Sequence, residues 1–240
     1  KWKKESGDQI LNQLKKLGCS CDWSRNRFTM DKDLSDAVIK TFVQLYKKKI
    51  IYKDTKLVNW DMKLETAISD LEVEQKEIQS NLFYIKYKID GENNFITIAT
   101  TRPETMIGDT AVAINPNDER YKKFVGKKII VPIVDRKVKI ITDNYVSIEQ
   151  GSGALKVTPA HDFNDFEIGK RHNLEYINIF EKNGNLNHNT PKEFIGLNRF
   201  EARKLIIKIL KEKNLLVKID SIKNTVPYGD RSNSIIEPLL

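Results

Sequence analysis

Cysteine is almost absent: the 240 residues hold two, Cys19 and Cys21, in "GCSCDW". A pair separated by one residue is badly placed for a disulfide, and no second pair completes a zinc site. Two buried or idle thiols in a reducing compartment are expected, which points to the cytoplasm. Histidine is nearly as scarce, and His161 and His172 lack the HExxH spacing of a helical zinc site. They are expected to be surface or hydrogen-bond-satisfied histidines, with no metal centre. There is no GxSxG nucleophile elbow, and "GSG" at 151–153 lacks the Lys-Ser/Thr ending of a phosphate loop. No stretch approaches the roughly 20 apolar residues that span a membrane. The first residues, "KWKKESGD", have no apolar signal-peptide core. The sequence does not begin with methionine and stops at "IIEPLL", so it is expected to be a piece of a longer protein.

What is present is apolar and basic. Hydrophobic residues make up 40%, enough for a sizeable core. Lys plus Arg number 41 against 33 Asp plus Glu, a formal charge of +8. Such an excess fits a polyanionic partner, and it fits a merely solvated basic surface equally well.

Periodicity divides the chain. In "DQILNQLKKL", Ile10, Leu11, Leu14 and Leu17 share one helical face, and Gly18 is a natural stop. From Asp33 to Tyr52, Leu34, Val38, Phe42, Leu45 and Tyr46 recur at helical spacing. "KLVNWD" and "AISDLEV" suggest a short strand pair. After Asn81 the period becomes two. Phe83, Ile85, Tyr87 and Ile89 alternate, "DGENN" turns, and "FITIAT" returns as a hairpin. Further strands are expected at "KIIVPIV", "KVKII", "YVSIE" and "GALKVT", and a closed or curled sheet follows from their number. Helices are expected over 163–171 and 199–213. "EKNGNLNHNTPKE", 181–193, reads as an exposed loop.

Two polar clusters leave the ends of apolar strands. In "GSGALKVTPAHDFNDFEIG", Lys156 and Thr158 share one strand face, and Asp162 and Asp165 one side of a helical turn. The ordinary reading is a solvated strand face followed by a helix cap at Asp162. The sharper one is a convergent site of cation, hydroxyl and carboxylates. "TTRPETM", 100–106, offers the same choice. Pro103 pushes Arg102 towards an extended conformation, and a surface Arg102–Glu104 pair is the ordinary outcome.

The stretches "TTRPETMIGDTAVAINPNDERY", "GSGALKVTPAHDFNDFEIGKRHNL", "LVNWDMKLETAISDLEVE", "GCSCDWSRNRFTMD" and "VPYGDRSNSIIEPLL" together resemble the valyl-tRNA synthetase family along essentially the whole chain. Isoleucyl and leucyl relatives are less similar in "PETMIGDTAVA" and "LVNWD". The resemblance implies the connective-polypeptide insertion of the catalytic domain, which carries the editing site of the family. HIGH-like and KMSKS-like signatures are missing. The resemblance therefore implies no aminoacylation by this chain and no cofactor for editing; ATP and Mg serve only the missing aminoacylation domain.

The implied fold is α+β, a β-barrel-like editing core with peripheral helices. Its divisions are 1–80, mainly helical and leading from the catalytic domain; 81–190, the editing core; and 191–240, a C-terminal helix and return segment. The implied activity is hydrolysis of threonyl-tRNA(Val), with threonyl-adenylate as a further substrate. The catalytic group is Lys156, Thr158, Asp162 and Asp165, and the substrate-binding group is Thr100, Thr101, Arg102 and Thr105. Asp165 is assigned to the substrate ammonium, Lys156 and Asp162 to the threonyl hydroxyl, and Arg102 and Thr105 to the terminal adenosine. The implied partner is the 3′ acceptor end of tRNA(Val), bound by a monomer away from membranes. The alternative is an acceptor-end docking module without hydrolysis of its own.

Overall fold

A computed structural model describes residues 2 and 6–240, and the chain divides into two compact units between Asp54 and Thr55. In the first unit lie α1 (Gln9–Lys16) and α2 (Lys32–Lys47). Gly18, at φ +79°, ends α1, with its N–H on the Lys15 carbonyl and that of Cys19 on the Leu14 carbonyl. Asp31 sits at the N-cap of α2, with Asp33 in the first turn and Lys47 in the last, as the helix dipole favours. Neither helix has a buried residue. Ile10, Leu17, Val38, Phe42 and Tyr46 are all exposed, so the helical period is amphipathic but the face is uncovered. Cys19 and Cys21 are free and exposed, not buried.

The second unit, Thr55–Leu240, is built on two sheets. The smaller comprises β1 (Val58–Asp61), β2 (Thr66–Ile68) and β10 (Ile236–Leu239), with β1 central and both pairings antiparallel. Strand structure thus starts well before residue 80. The larger sheet comprises β3 (Val73–Ile89), β4 (Phe95–Thr100), β5 (Ala111–Ile114), β6 (Lys128–Ile130), β7 (Lys137–Thr142), β8 (Ala154–Val157) and β9 (Leu216–Gly229). Its order is β4-β3-β6-β7-β5-β8, and β9 pairs with β3. β5 and β7 are parallel. The two ends of the order, β4 and β8, come into contact, so the sheet curls into a half-barrel. With α3 (Phe163–His172) and α4 (Arg199–Glu212) at its periphery, the architecture is α+β and barrel-like.

The core follows from the alternation. Phe83, Ile85, Tyr87 and Ile89 all point inward from β3 and meet Ile96 and Ile98 of β4 and Ala202, Ile206 and Leu210 of α4. Each buried Ile or Leu contributes about 1.5–3 kcal/mol. β5, "AVAI", is buried on both faces: Val112 and Ile114 join this core, and Ala111 and Ala113 a second cluster with Val146, Val157 and Ile168.

Three expectations change. "YVSIE" is no strand, because Asp143 Oδ1 accepts the Tyr145 N–H at 2.9 Å and folds the chain into a turn. Arg171 and His172 hold the same carboxylate. The 181–193 loop is not simply exposed: Leu186, Asn187 and Thr190 are buried, and Asn187 Nδ2 donates to the carbonyls of Asn178 and Phe180. β9 and the first half of β3 form a long two-stranded ladder that no apolar alternation announced. Among the described residues, no helix is long and apolar enough to cross a membrane.

Candidate functional site

β4 delivers the threonine-rich segment. At its end the Thr100 hydroxyl accepts the Arg102 N–H at 3.0 Å, and the chain bends with Arg102 at φ −127°, ψ 67°. Pro103–Gly108 then forms a 3₁₀ turn, where a first-position proline is favoured, and all six of its residues are buried. The segment is an internal turn, not a surface loop. Arg136 clamps it by donating to the carbonyls of Ile107 and Asp109. Gly108 is required by close approach: a Cβ there would lie 3.1 Å from both the Ile177 carbonyl and Thr158 Cγ2.

Arg102 does not pair at the surface. It donates to the His161 carbonyl at 3.0 Å and forms an ion pair with Glu237, and its Nε lies 3.5 Å from Glu104. Glu104, fully buried, also receives a bidentate pair from Arg203 at 2.7 Å on each oxygen. Burial alone would raise the Glu104 pKa, but the Arg203 and Arg102 charges and the Arg203 hydrogen bonds hold it below the usual carboxylate value.

β8 supplies the second cluster. Val112 of β5 pairs with Lys156, so the lysine is fixed by a central strand. Lys156 and Thr158 share a face, as their spacing requires, yet both are buried, which removes the solvated-face reading. Asp162 is the N-cap of α3, its Oδ1 accepting the N–H groups of Asn164 and Asp165. The cap reading therefore holds for Asp162, and its other oxygen accepts no hydrogen bond among the described residues. Asp165, in the first turn, takes the Thr158 N–H on Oδ2 at 2.8 Å. Burial, and secondly the neighbouring Asp162 charge, push its pKa up to about 7.

The Lys156 ammonium reaches Thr105 Oγ1 at 2.8 Å, Thr158 Oγ1 at 2.6 Å and Asp109 Oδ1 at 3.4 Å. Asp109 in turn accepts from the Thr158 hydroxyl at 2.6 Å and from Tyr87 at 2.8 Å. Its pKa is raised by burial, against the Lys156 charge and these hydrogen bonds. His161, beside the cluster, is a core histidine: Nε2 accepts the Ile179 N–H at 2.9 Å and the ring packs edge-on to Phe180, while Nδ1 is buried with no hydrogen-bond partner among the described residues. Burial, then the Arg102 charge, lower its pKa to about 3, so it is neutral.

Thr100, Thr101, Arg102, Thr105, Lys156, Thr158, Asp162 and Asp165 all line one cavity of about 640 Å³. Tyr145, His161 and Asn164 also line it, and Leu82, Ile222, Lys223 and Asn224 close one wall from the β3–β9 ladder. Sequence reasoning missed Asp109, Tyr87 and this wall. The only signal for Asp109 was its place in "PETMIGDTAVA". Chemically, the cavity sets two open carboxylate oxygens beside hydroxyls polarised by a buried ammonium. It suits a ligand with its own cation and a hydrogen-bond donor.

The family described as "tRNA synthetases class I (I, L, M and V)" matches residues 1–226. A valine--tRNA ligase of Pelagibacter ubique (strain HTCC1062) is 67% identical over 239 residues, covering 100% of this chain and 27% of that protein. The ligase of the same name from Bradyrhizobium diazoefficiens is 53% identical over 261 residues, again 100% of this chain and 27% of the relative. The chain thus spans about a quarter of the length of these relatives. Among solved structures, a LeuRS–tRNA–LeuAMS ternary complex from Agrobacterium radiobacter K84 matches with a TM-score of 0.47 at 17% identity, over 92% of this chain and 36% of that one. A likeness at that level carries no argument about the site.

Proposed function

Because the chain belongs to the class I tRNA synthetases of the I, L, M and V group, we propose that its cavity is an editing site that hydrolyses threonyl esters of tRNA(Val). The observation that supports this reading most is the joint placement of the threonine-rich turn, Lys156 and Asp165 around one cavity. Threonine differs from valine by a hydroxyl in place of a methyl. A hydrophobic pocket rejects that hydroxyl only about 10²-fold, the value known for valine selection. A second, polar pocket reverses the preference, since a valyl group leaves buried polar partners unpaired at about 1–3 kcal/mol each.

The open oxygens of Asp165 and Asp162 suit the α-ammonium of the acyl group. The threonyl hydroxyl then faces Asp162 and the oxygens of Thr105 and Thr158. Lys156 has acceptors for all three of its hydrogens, so it acts through its charge, which stabilises negative charge that develops on the ester carbonyl. In the reaction a water oxygen bonds to the carbonyl carbon and the bond to the ribose oxygen breaks. That oxygen takes a proton, and threonine and tRNA leave. The reading calls for water as the second substrate and for no cofactor. The basic excess and Lys223 on the cavity wall favour an RNA acceptor end as the carrier of the ester.

The test is hydrolysis of threonyl-tRNA(Val) against valyl-tRNA(Val), by the chain itself and by a full-length protein that contains it. Preferential cleavage of the threonyl ester is expected, and equal rates on both substrates reject the assignment. Salt-sensitive tRNA binding without turnover in either form would establish a docking module instead.

A further inference from the structure

Asp109 lies among the eight residues of neither polar cluster, yet it is fully buried directly beneath them. It ends the turn that follows β4 and precedes β5, whose pairing with β8 fixes Lys156. Three donors converge on it: Tyr87 on Oδ2, Thr158 and Lys156 on Oδ1. A carboxylic acid would need an acceptor for its own hydrogen, whereas three donors fit the ionised form. Its consequence is a fixed direction for every hydrogen in the cluster. The Thr158 hydroxyl donates to Asp109, the Thr105 hydroxyl donates to the Arg102 carbonyl at 3.0 Å, and the ammonium hydrogens go to Thr105, Thr158 and Asp109. No donor of the cluster is left over. What the floor offers the cavity is hydroxyl lone pairs.

We propose that Asp109 is a positioning residue of this site: its buried carboxylate holds the Lys156 ammonium in place and turns the Thr158 hydroxyl away from the ligand, so that the cavity floor accepts hydrogen bonds and donates none. The proposal rests on the cavity being the hydrolytic site. Asp109 acts from behind Lys156 and Thr158 and does not reach the ligand. Its removal leaves a buried ammonium without its contacting counter-charge, and burial then favours the neutral amine. Of the other groups here, His161 and Asp165 from the segment after β8 feel the ammonium charge, Tyr87 shares the Asp109 carboxylate with it, and Arg102 and Asp162 line the same cavity. Asp162 and Asp165 still favour the charged form, while Arg102 opposes it.

The variant is Asp109→Asn, with the same shape and no charge. Two readouts apply: nitrogen NMR of the Lys156 ammonium from about pH 6 to about pH 10, and the rate of threonyl-tRNA(Val) hydrolysis over the same range with spontaneous cleavage subtracted. In the variant, Lys156 is expected to release its proton at least about one unit lower than in the wild type, and hydrolysis to gain an alkaline limb. The rate is expected to fall to about half where half of the Lys156 ammonium has lost its proton, with the deficit growing above that pH and shrinking towards about pH 6.5. An unchanged Lys156 titration, or a loss of rate equal at every pH, overturns the proposal. If Asp109→Asn does not fold, the double variant Asp109→Asn/Lys156→Met, which removes both charges, is expected to recover the melting transition. A double variant as unstable as the single one overturns it. Should the wild type not hydrolyse the ester, the editing assignment fails by itself, while the Lys156 titration still decides whether Asp109 holds the ammonium.

Discussion

The backbone N–H of Thr158 donates to Asp165 Oδ2 at 2.8 Å, so the residue that follows β8 and the first turn of α3 are locked together. One carboxylate oxygen thereby serves the fold. The other, with no hydrogen bond among the described residues, is left for a ligand. Asp165 has a pKa raised to about 7. Below that value it carries a proton and cannot offer a full charge to an ammonium group.

Asp165→Asn separates the two tasks. The amide oxygen still accepts the Thr158 N–H, but the charge is gone. Threonyl-tRNA hydrolysis is expected to fall about 10²-fold or more in kcat/KM, the loss of one charge-assisted bond and its orientation. The wild-type rate is expected to rise with pH through about 7. Steady-state kinetics of both proteins check this, and a variant with wild-type kcat/KM removes Asp165 from the site.

Stability should respond to the same group with the opposite sign. The folded pKa of Asp165 lies above the unfolded value, so the folded state binds more protons between about pH 4 and about pH 7. Its contribution is most favourable below that window and is lost as pH rises through it. Asp165→Asn is therefore expected to be more stable than wild type near pH 8 and little different near pH 4, by urea denaturation.

His161 contributes the reverse slope. Its folded pKa of about 3 lies below the unfolded value, so the unfolded chain binds the extra proton as pH falls below about 6.5. Its contribution to stability is present above that pH and shrinks towards pH 3. His161→Gln, which keeps an acceptor for the Ile179 N–H, is expected to flatten the acid side of the stability profile. An unaltered acid slope would show that the imidazole is not buried neutral.

Arg203→Ala would leave Glu104, which has no exposed surface, with only the longer Arg102 contact. Breaking a buried pair from one side costs about 3–5 kcal/mol. A loss of that order in urea denaturation is expected, with a smaller loss for Arg203→Lys, which keeps the charge but not the bidentate geometry. A loss under about 1 kcal/mol, the surface-pair value, would mean that the pair is solvated.

Gly108→Ala should push on Thr158. The added methyl meets the Ile177 carbonyl and Thr158 Cγ2 at 3.1 Å, and overpacking of this kind costs about 1–3 kcal/mol. The Thr158 hydroxyl would shift with its methyl, so hydrolysis is expected to fall together with melting temperature. A variant that loses neither shows that the turn and β8 separate freely.

The sequence alone determined whatever depends on period and neighbour. Phe83, Ile85, Tyr87 and Ile89 alternate because successive strand residues face opposite sides, and Ala202, Ile206 and Leu210 recur because a helix turns every 3.6 residues. Both patterns are local, so the hairpin and α4 were legible without coordinates. Gly18 and the Asp162 cap were legible for the same reason. The polar runs at Thr100–Thr105 and Lys156–Asp165 showed themselves as departures from those periods, but each alone reads more readily as solvated surface.

Tertiary structure decided what the polar residues face. The β3–β9 ladder is polar along much of its length, and no period announces pairing between residues as distant as Val73 and Gly229. The exposed apolar face of α2 has the pattern of a buried helix, since amphipathicity records that a face is apolar and not what covers it. Asp109 is the clearest case. Nothing in "MIGDTAV" distinguishes it from a turn residue. Its environment is set by Tyr87, Lys156 and Thr158, which lie 22, 47 and 49 residues away. A carboxylate becomes a fixed counter-charge only when the curled sheet shuts it away from water, and that closure is a property of the whole fold.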